Sequence, residues 1–306
     1  MKLKNYIPYA LLLSLHLQAD QFSFIFYNDF FAGTDEHFTN DMSLSWLDDE
    51  KYFNHYYGGI SINQMIFTPA NTTTKEAQYD DMPYSGYLCI STYLFDINED
   101  ENSFIEYRIE AGLTGKYAYA KEVQNNFHTL IHNSKAQGLD TQLSTYYTFN
   151  TLIRYGETTY HKKLPYAMKM DWFNHIGFQA GNFVDNIFWG STLRIGKNYK
   201  KNFNLHYPYL KEQASQLALQ KPHKGFGYSL SLGVNADYLF YALLFDKADK
   251  EGYKIKKYHL NGFLYMGYDF YYDRHKFTFF YQKQSPYTND HNEMNSLGGI
   301  LYNYQY

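Results

Sequence analysis

The residues with the most capacity for chemistry crowd into one short stretch near the N-terminus, Tyr27-Asn28-Asp29-Phe30-Phe31-Ala32-Gly33-Thr34-Asp35-Glu36-His37-Phe38-Thr39-Asn40-Asp41. It offers carboxylates at Asp29, Asp35, Glu36 and Asp41, amides at Asn28 and Asn40, an imidazole at His37 and hydroxyls at Thr34 and Thr39. That is more polar function than a tight connection between two strands requires. Taken alone, the stretch still reads more simply as a capped turn, its Asn and Asp side chains bonding to nearby backbone. A base comes from a second stretch. Between Tyr119 and Asn133, Val123, Phe127 and Leu130 fall on one stripe of a helix, while Gln124, His128 and His132 fall at i, i+4 and i+8 on the next. Imidazole titrates near neutrality and suits removal of a proton from water. The plainer alternative is a set of solvated helix histidines. A third stretch, from Gln64 to Gly86, holds Lys75, which either meets an anionic headgroup or is solvated.

The elements that must position these residues are strands. Strand-like runs lie at about 22–29, 38–47, 57–67, 85–95, 104–113, 143–154, 168–180, 187–197, 226–245, 255–271, 275–285 and 296–306. Met42, Leu44 and Trp46 alternate with Asp41, Ser43 and Ser45. Most runs reach the ~9–11 residues that a tilted strand needs to cross hydrocarbon. The expected fold is all-β: a transmembrane antiparallel β-barrel of about 12 strands, with a short helix in an extracellular loop. Composition agrees. Aromatics make up 21% of residues, with 35 Tyr and 25 Phe, while mean hydropathy is −0.54. Tyr at this density suits strands with one face in lipid and girdles at the interfaces. Several runs are apolar on both faces, which predicts a packed lumen rather than a wide channel. Parity from Phe22, Phe24 and Phe26 puts Asn28 on the lipid side and Asp29 opposite, with Ser23, Ile25 and Tyr27.

Residues 1–19 read as a signal peptide, with Lys2 and Lys4 before the apolar run Ile7–Leu17 and a small residue at Ala19, leaving 20–306 as one barrel domain. The net charge of −4 gives no basic field for nucleic acid. A single cysteine, Cys89, allows no internal disulfide and is expected to pack as a small hydrophobe. The segment 198–225 is long for a periplasmic turn. Its Tyr209–Gln220 part has a helical pattern, and a solvated excursion is expected there, with a plug or lid as the alternative. The chain ends Leu301-Tyr302-Asn303-Tyr304-Gln305-Tyr306, similar to the closing strand by which the barrel assembly machinery recognises such proteins.

In their order and spacing, several motifs resemble the lipid A 3′-O-deacylase family of outer-membrane barrels. They are Asn28-Asp29, the run through Phe38-Thr39-Asn40, Gln64 to Thr68-Pro69, Asp81-Met82-Pro83-Tyr84-Ser85-Gly86, and Gln124-(x)3-His128 followed by Gly138-Leu139-Asp140-Thr141-Gln142-Leu143. The resemblance spans essentially the whole mature chain. Met82 and Ser85 depart mildly from the family's Asp-Arg-Pro-Tyr-Ala-Gly motif. It implies a 12-stranded barrel in the bacterial outer membrane, with its site between the wall and an extracellular-loop helix. The implied activity is hydrolysis of the 3′-linked acyl ester of lipid A, dependent on Ca2+. Carried over, His128 is the general base, and Asn28, Asp29 and Thr39 form the site. Lys75 and Gln124 would contact substrate, and Asp29 belongs to the calcium environment. Some members have an acidic residue six positions after the catalytic histidine. Here that position is Ser134, a weaker calcium ligand, for which Asp35, Glu36 or Asp41 could compensate. Two other readings stand beside this one. The chain could be a non-enzymatic pore or adhesin, or a serine-type lipid hydrolase using His132-Asn133-Ser134.

Overall fold

The alternating runs close into an up-and-down barrel. The computed structural model describes residues 21–28, 37–52, 56–98, 100–130, 136–199, 202–203, 217–218, 224–289 and 294–306. The leader, Asp29 and Ser134 lie outside these residues, as do Asp35, Glu36 and His132. The strands are β1 Gln21–Asn28, β2 His37–Tyr52, β3 Tyr56–Thr68, β4 Ser85–Asn98, β5 Ser103–Thr114, β6 Tyr147–Lys163, β7 Met168–Gly181 and β8 Val184–Lys197. A two-residue ribbon follows, β9 Asn202–Phe203 with β10 Leu217–Ala218. Then come β11 Phe226–Ala242, β12 Leu260–Tyr272, β13 His275–Gln284 and β14 Asn295–Gln305. Twelve strands form the barrel, in the order β1-β14-β13-β12-β11-β8-β7-β6-β5-β4-β3-β2. Closure by β1 on β14, with Gln21 opposite Gln305, leaves no sheet edge in the hydrocarbon, where unpaired backbone groups are costly. The end holding Gln21 and Gln305 also has tight turns such as Tyr272–His275 and is periplasmic. The opposite end carries the long connections 69–84, 115–146 and 243–259.

Alternation sets inside against outside. In β1, Ser23, Ile25 and Tyr27 are buried, while Phe22, Phe24 and Phe26 are partly exposed on the outer wall. The outer wall shows Phe149, Ile153, Ile176, Phe178, Leu232, Leu264, Phe277 and Phe279 to lipid. The lumen is filled. Glu106 holds Arg108 at 3.0 Å and Arg154 at 2.6 Å, all with almost no exposure. Further along, Asp269 binds Lys276 at 2.9 Å and accepts from Thr278 and Ser229. Helix α2, Leu243–Lys250, closes the extracellular end. Its Leu243, Leu244, Phe245 and Ala248 pack with Phe183, Leu239 and Tyr287. Cys89 is buried in the same cluster, as expected of a small hydrophobe.

The excursion between β8 and β11 departs from expectation. Phe203 is 1% exposed and packs on Phe104 at 4.6 Å and Phe173 at 5.2 Å between ring centroids. Tyr199 is buried and donates to Asp171, which also pairs with Arg194. These residues plug the periplasmic end of the lumen instead of lying in solvent. Leu217 and Ala218, expected in a helix, form the β10 strand; the rest of Tyr209–Gln220 lies outside the described residues. Several boundaries also move. β6 continues to Lys163 because β7 still pairs with it there, beyond the end of β5 at Ser103.

The lumenal charges generate one expectation. Glu106→Ala leaves Arg108 and Arg154 buried without their shared carboxylate, so the barrel should lose ~3–5 kcal/mol of stability. The temperature at which the folded band converts to the unfolded one on a gel is the measurement. An unchanged temperature would mean that the two arginines are neutralised by other means.

Candidate active site on the outer wall

The chain reaches the outer wall through a sharp turn at the top of β5. Gly115 takes a φ of +77°, and a β-carbon there would meet Thr145 Oγ1 and Leu143 O within 3 Å. A single 3₁₀ turn, Gly115–Ala118, follows, and then helix α1, Ala120–Leu130. The helix lies against β3 and β4. Its seat is Gly86, an outward position of β4 between buried Ser85 and Tyr87, where a β-carbon would come within 2.6 Å of the Ala120 β-carbon and 3.0 Å of that of Ala118. Only a residue without a side chain lets the helix come so close. On β3, Gln64 donates to the Ala118 carbonyl at 2.5 Å. Gln64 shares the outward parity of Ile62, which is exposed, yet Gln64 itself is buried by this contact.

Beyond α1 the chain is tied down again. Ala136 and Leu139 pack with Tyr84, Gln137 N–H donates to Thr72 O, and Leu143 N–H donates to Tyr84 O. Lys121 forms an exposed ion pair with Asp140 at 2.5 Å. These contacts join the α1 connection to the loop between β3 and β4. Lys75 sits on that loop and is exposed, one residue from Thr74, whose carbonyl abuts Gly138.

Of the apolar stripe expected to pack, Val123 is partly buried, and the side chains of Phe127 and Leu130 lie outside the described residues; Ala120, Gln124 and His128, at i, i+4 and i+8, are buried. The small Ala120 fits the Gly86 seat and so rotates the polar stripe towards the wall. Gln124 is 2% and His128 3% exposed. Gln124 Nε2 lies 3.4 Å from His128 Nε2, a long contact whose donor and acceptor depend on the imidazole tautomer.

A row of outward positions crosses the rim, with this helix resting on its β3 and β4 strands: Asn28 on β1, Asn40 on β2, Ile66 on β3 and Gly86 on β4, each directly opposite the next. Steps of ~4.8 Å between strands make the row ~14 Å long, and the nine residues from Ala120 to His128 span ~12 Å of helix. Asn28 and Asn40 are each 3% exposed despite their lipid-side parity. Thr39 is the extra residue of a β-bulge between Phe38 and Asn40, a local twist suited to re-aiming side chains at a rim. Asp41 is paired with Tyr27 and Met65 on the lumenal parity, so it does not compensate for Ser134 at an outer-wall site. Among the described residues, no group of three His, Cys, Asp or Glu side chains converges.

Asn28 is buried on the outer flank, Gln124 and His128 are buried on the helix that rests on that flank at β3 and β4, and the backbone of Thr39 lies beside Asn40. Lys75 stays exposed on the adjoining loop. Residues that carried no assigned role in the sequence, Asn40, Gln64 and Gly86, complete the wall. Their signal was a polar or missing side chain at an outward strand position near a rim.

No curated protein sequence matches the chain. Among solved structures, LpxR from Salmonella typhimurium is similar over 94% of this chain and 100% of its own, with a TM-score of 0.80 and 15% identity, a likeness of fold. The β domain of the Bordetella autotransporter BrkA covers 94% of this chain and 97% of its own, with 8% identity and a TM-score of 0.48. The family model described as outer membrane protein LpxR matches residues 7–306. With the rim motifs and the twelve-stranded barrel that carries them, this shows that the chain belongs to the LpxR family of outer-membrane proteins, the lipid A 3′-O-deacylase family.

Proposed function

We propose that this protein hydrolyses the 3′-linked acyl ester of lipid A in the outer leaflet of the outer membrane, with His128 as general base. The observation that carries the reading is the burial of His128 and Gln124 on the wall-facing stripe of α1, over an outer flank where Asn28 and Asn40 replace lipid-facing apolar residues. A site on the outside of the wall is open to a lipid that arrives by diffusion in the leaflet.

The chemistry is a water attack. His128, neutral, takes a proton from water as the water oxygen bonds to the acyl carbonyl carbon. The tetrahedral intermediate then expels the 3′ oxygen, which receives that proton from His128. A free carboxylic acid and a sugar hydroxyl result. Gln124 packs beside the imidazole and fixes its rotamer, and Asn28 orients the reacting group from the wall. In this reading, Asp29 would hold Ca2+, with Ser134 as a weaker neighbour. Gln124 Oε1, buried and with no hydrogen-bond partner, is a hard oxygen of the type the ion takes. When bound, the ion supplies positive charge for the developing oxyanion.

Four outcomes are expected. Lipid A from cells expressing the protein should lose the mass of its 3′-linked chain. His128→Ala should abolish that loss, with rate reduced ~10²–10⁴-fold, while His132→Ala should not. Equal acylation with and without the wild-type protein would sink the reading, and dependence on His132 would favour the serine-type alternative. Gly86→Val should unseat α1 and lower activity at least ~10-fold while the barrel still migrates as folded; full activity would show that the seat is dispensable. Chelation of divalent cations should slow turnover, and added Ca2+ should restore it. An unaffected rate in chelator would remove calcium from the mechanism.

A further inference from the structure

Asn40 carries a signal that the deacylase reading leaves unused. It stands directly opposite Asn28 on the β1–β2 ladder and opposite Ile66 on β3. Its side chain therefore has the lipid-facing parity, yet it is only 3% exposed. Its Oδ1 is buried and accepts no hydrogen bond. An amide buried in this state destabilises the fold relative to an apolar residue of similar size, so its presence calls for a donor from outside the chain. The bulge at Thr39 bears on this. Without it, Thr39 would take the outward place opposite Ile66; with it, Asn40 does.

We propose that Asn40 is a substrate-positioning residue whose Oδ1 accepts a hydrogen bond from an N–H or O–H donor on the acylated sugar. The inference rests on the deacylase reading and adds a specificity contact to it. Acyl chains offer no donors along their hydrocarbon, whereas a glucosamine headgroup at the level of the rim does. On the ring that bears the 3′ ester, the nearest donor is the amide N–H at the 2′ carbon, and ring hydroxyls are the second source. Asn40 exchanges no proton in the reaction. It fixes the sugar, and with it the ester, relative to the base on α1. A side chain that has no partner until substrate arrives gains its bond only in the complex, so its effect falls on turnover of substrate and not on folding.

The test compares wild type, Asn40→Ala and Asn40→Asp as purified full-length proteins in detergent micelles. The substrates are a lipid A with a 2′ amide and a synthetic analogue with a 2′ ester. Asn40→Ala should lose about 10-fold or more in kcat/KM on the amide substrate, the scale of one lost hydrogen bond. Asn40→Asp, which keeps an acceptor oxygen in place, should recover most of the loss. The unfolding temperature of Asn40→Ala should equal or exceed that of wild type, because the removed oxygen had no partner in the free protein. If wild type prefers the amide substrate and Asn40→Ala does not, the donor is the amide N–H. If the variant loses equally on both substrates, the donor is a hydroxyl. The proposal is overturned if Asn40→Ala keeps wild-type kcat/KM, or if its loss tracks a lowered unfolding temperature that Asn40→Asp does not mend. It is also overturned if raised Ca2+ restores the variant, since Asn40 would then act through the cation. Wild-type inactivity on lipid A would instead defeat the deacylase reading, and this inference with it.

Discussion

A polar side chain on the outer wall of a membrane barrel has to be covered, because the hydrocarbon beside it offers no hydrogen bonds. The site in this protein depends on that constraint being met at one place. Asn28, Asn40 and Gln64 all occupy lipid-side parity near the extracellular rim, and all three are buried. Gln64 is satisfied by the Ala118 carbonyl. The cover is seated where Gly86 meets Ala118 and Ala120. A larger residue at any of these three positions would lift the first turn of the helix, and with it the stripe that holds Gln124 and His128. The close approach of small residues thus controls whether His128 is held over the wall.

The interior does a different job. Its charges are grouped with their partners, Glu106 with two arginines, Asp171 with Arg194 and Tyr199, and Asp269 with Lys276. Removing one member of such a group is costly, since the remaining charge stays buried. Phe203 and its neighbours occupy the lumen towards the periplasm, and α2 with its loops occupies it on the other side. A lumen so filled gives a pore reading little to work with and gives the wall a stiff backing. Stiffness matters for a site split between wall and helix, where the reacting groups must stay aligned although they belong to distant parts of the chain.

Much of this was legible in the sequence, for physical reasons. Period-two alternation located twelve strands because one face meets lipid and the other a packed lumen. The same parity assigned Asn28 to the outer flank. The histidine-bearing helix followed from its 3.6-residue spacing. What stayed hidden depended on contacts between distant segments. The burial of Gln124 and His128 was one such feature: hydrophobicity favours Val123, whereas docking is decided by a β-carbon missing at Gly86, more than thirty residues away. The lumenal insertion of Phe203 leaves no local trace, since one aromatic in a polar segment looks solvated until Phe104 and Phe173 are brought around it. Asp41 looked like a spare calcium ligand by proximity in sequence, but strand pairing turns it into the lumen beside Tyr27 and Met65.

The two parities of the barrel wall divide scaffold from chemistry. Lumenal positions hold the ion pairs and the aromatic plug, while outward positions are mostly apolar and face lipid. A register slip of one residue would exchange the two sets along a whole strand. A bulge makes that exchange local. At Thr39 the chain spends one residue to bring Asn40, rather than Thr39, opposite Ile66, and leaves Asp41 on the lumenal face. An enzyme acting on a membrane lipid gains from this arrangement because its substrate already lies along the outer wall. The lipid needs no path through the barrel, and the acyl chains can stay in hydrocarbon while only the headgroup meets the polar row. The cost of such a site is the buried, unsatisfied Asn40 oxygen, which the pairing of β2 with β1 and β3 keeps in place.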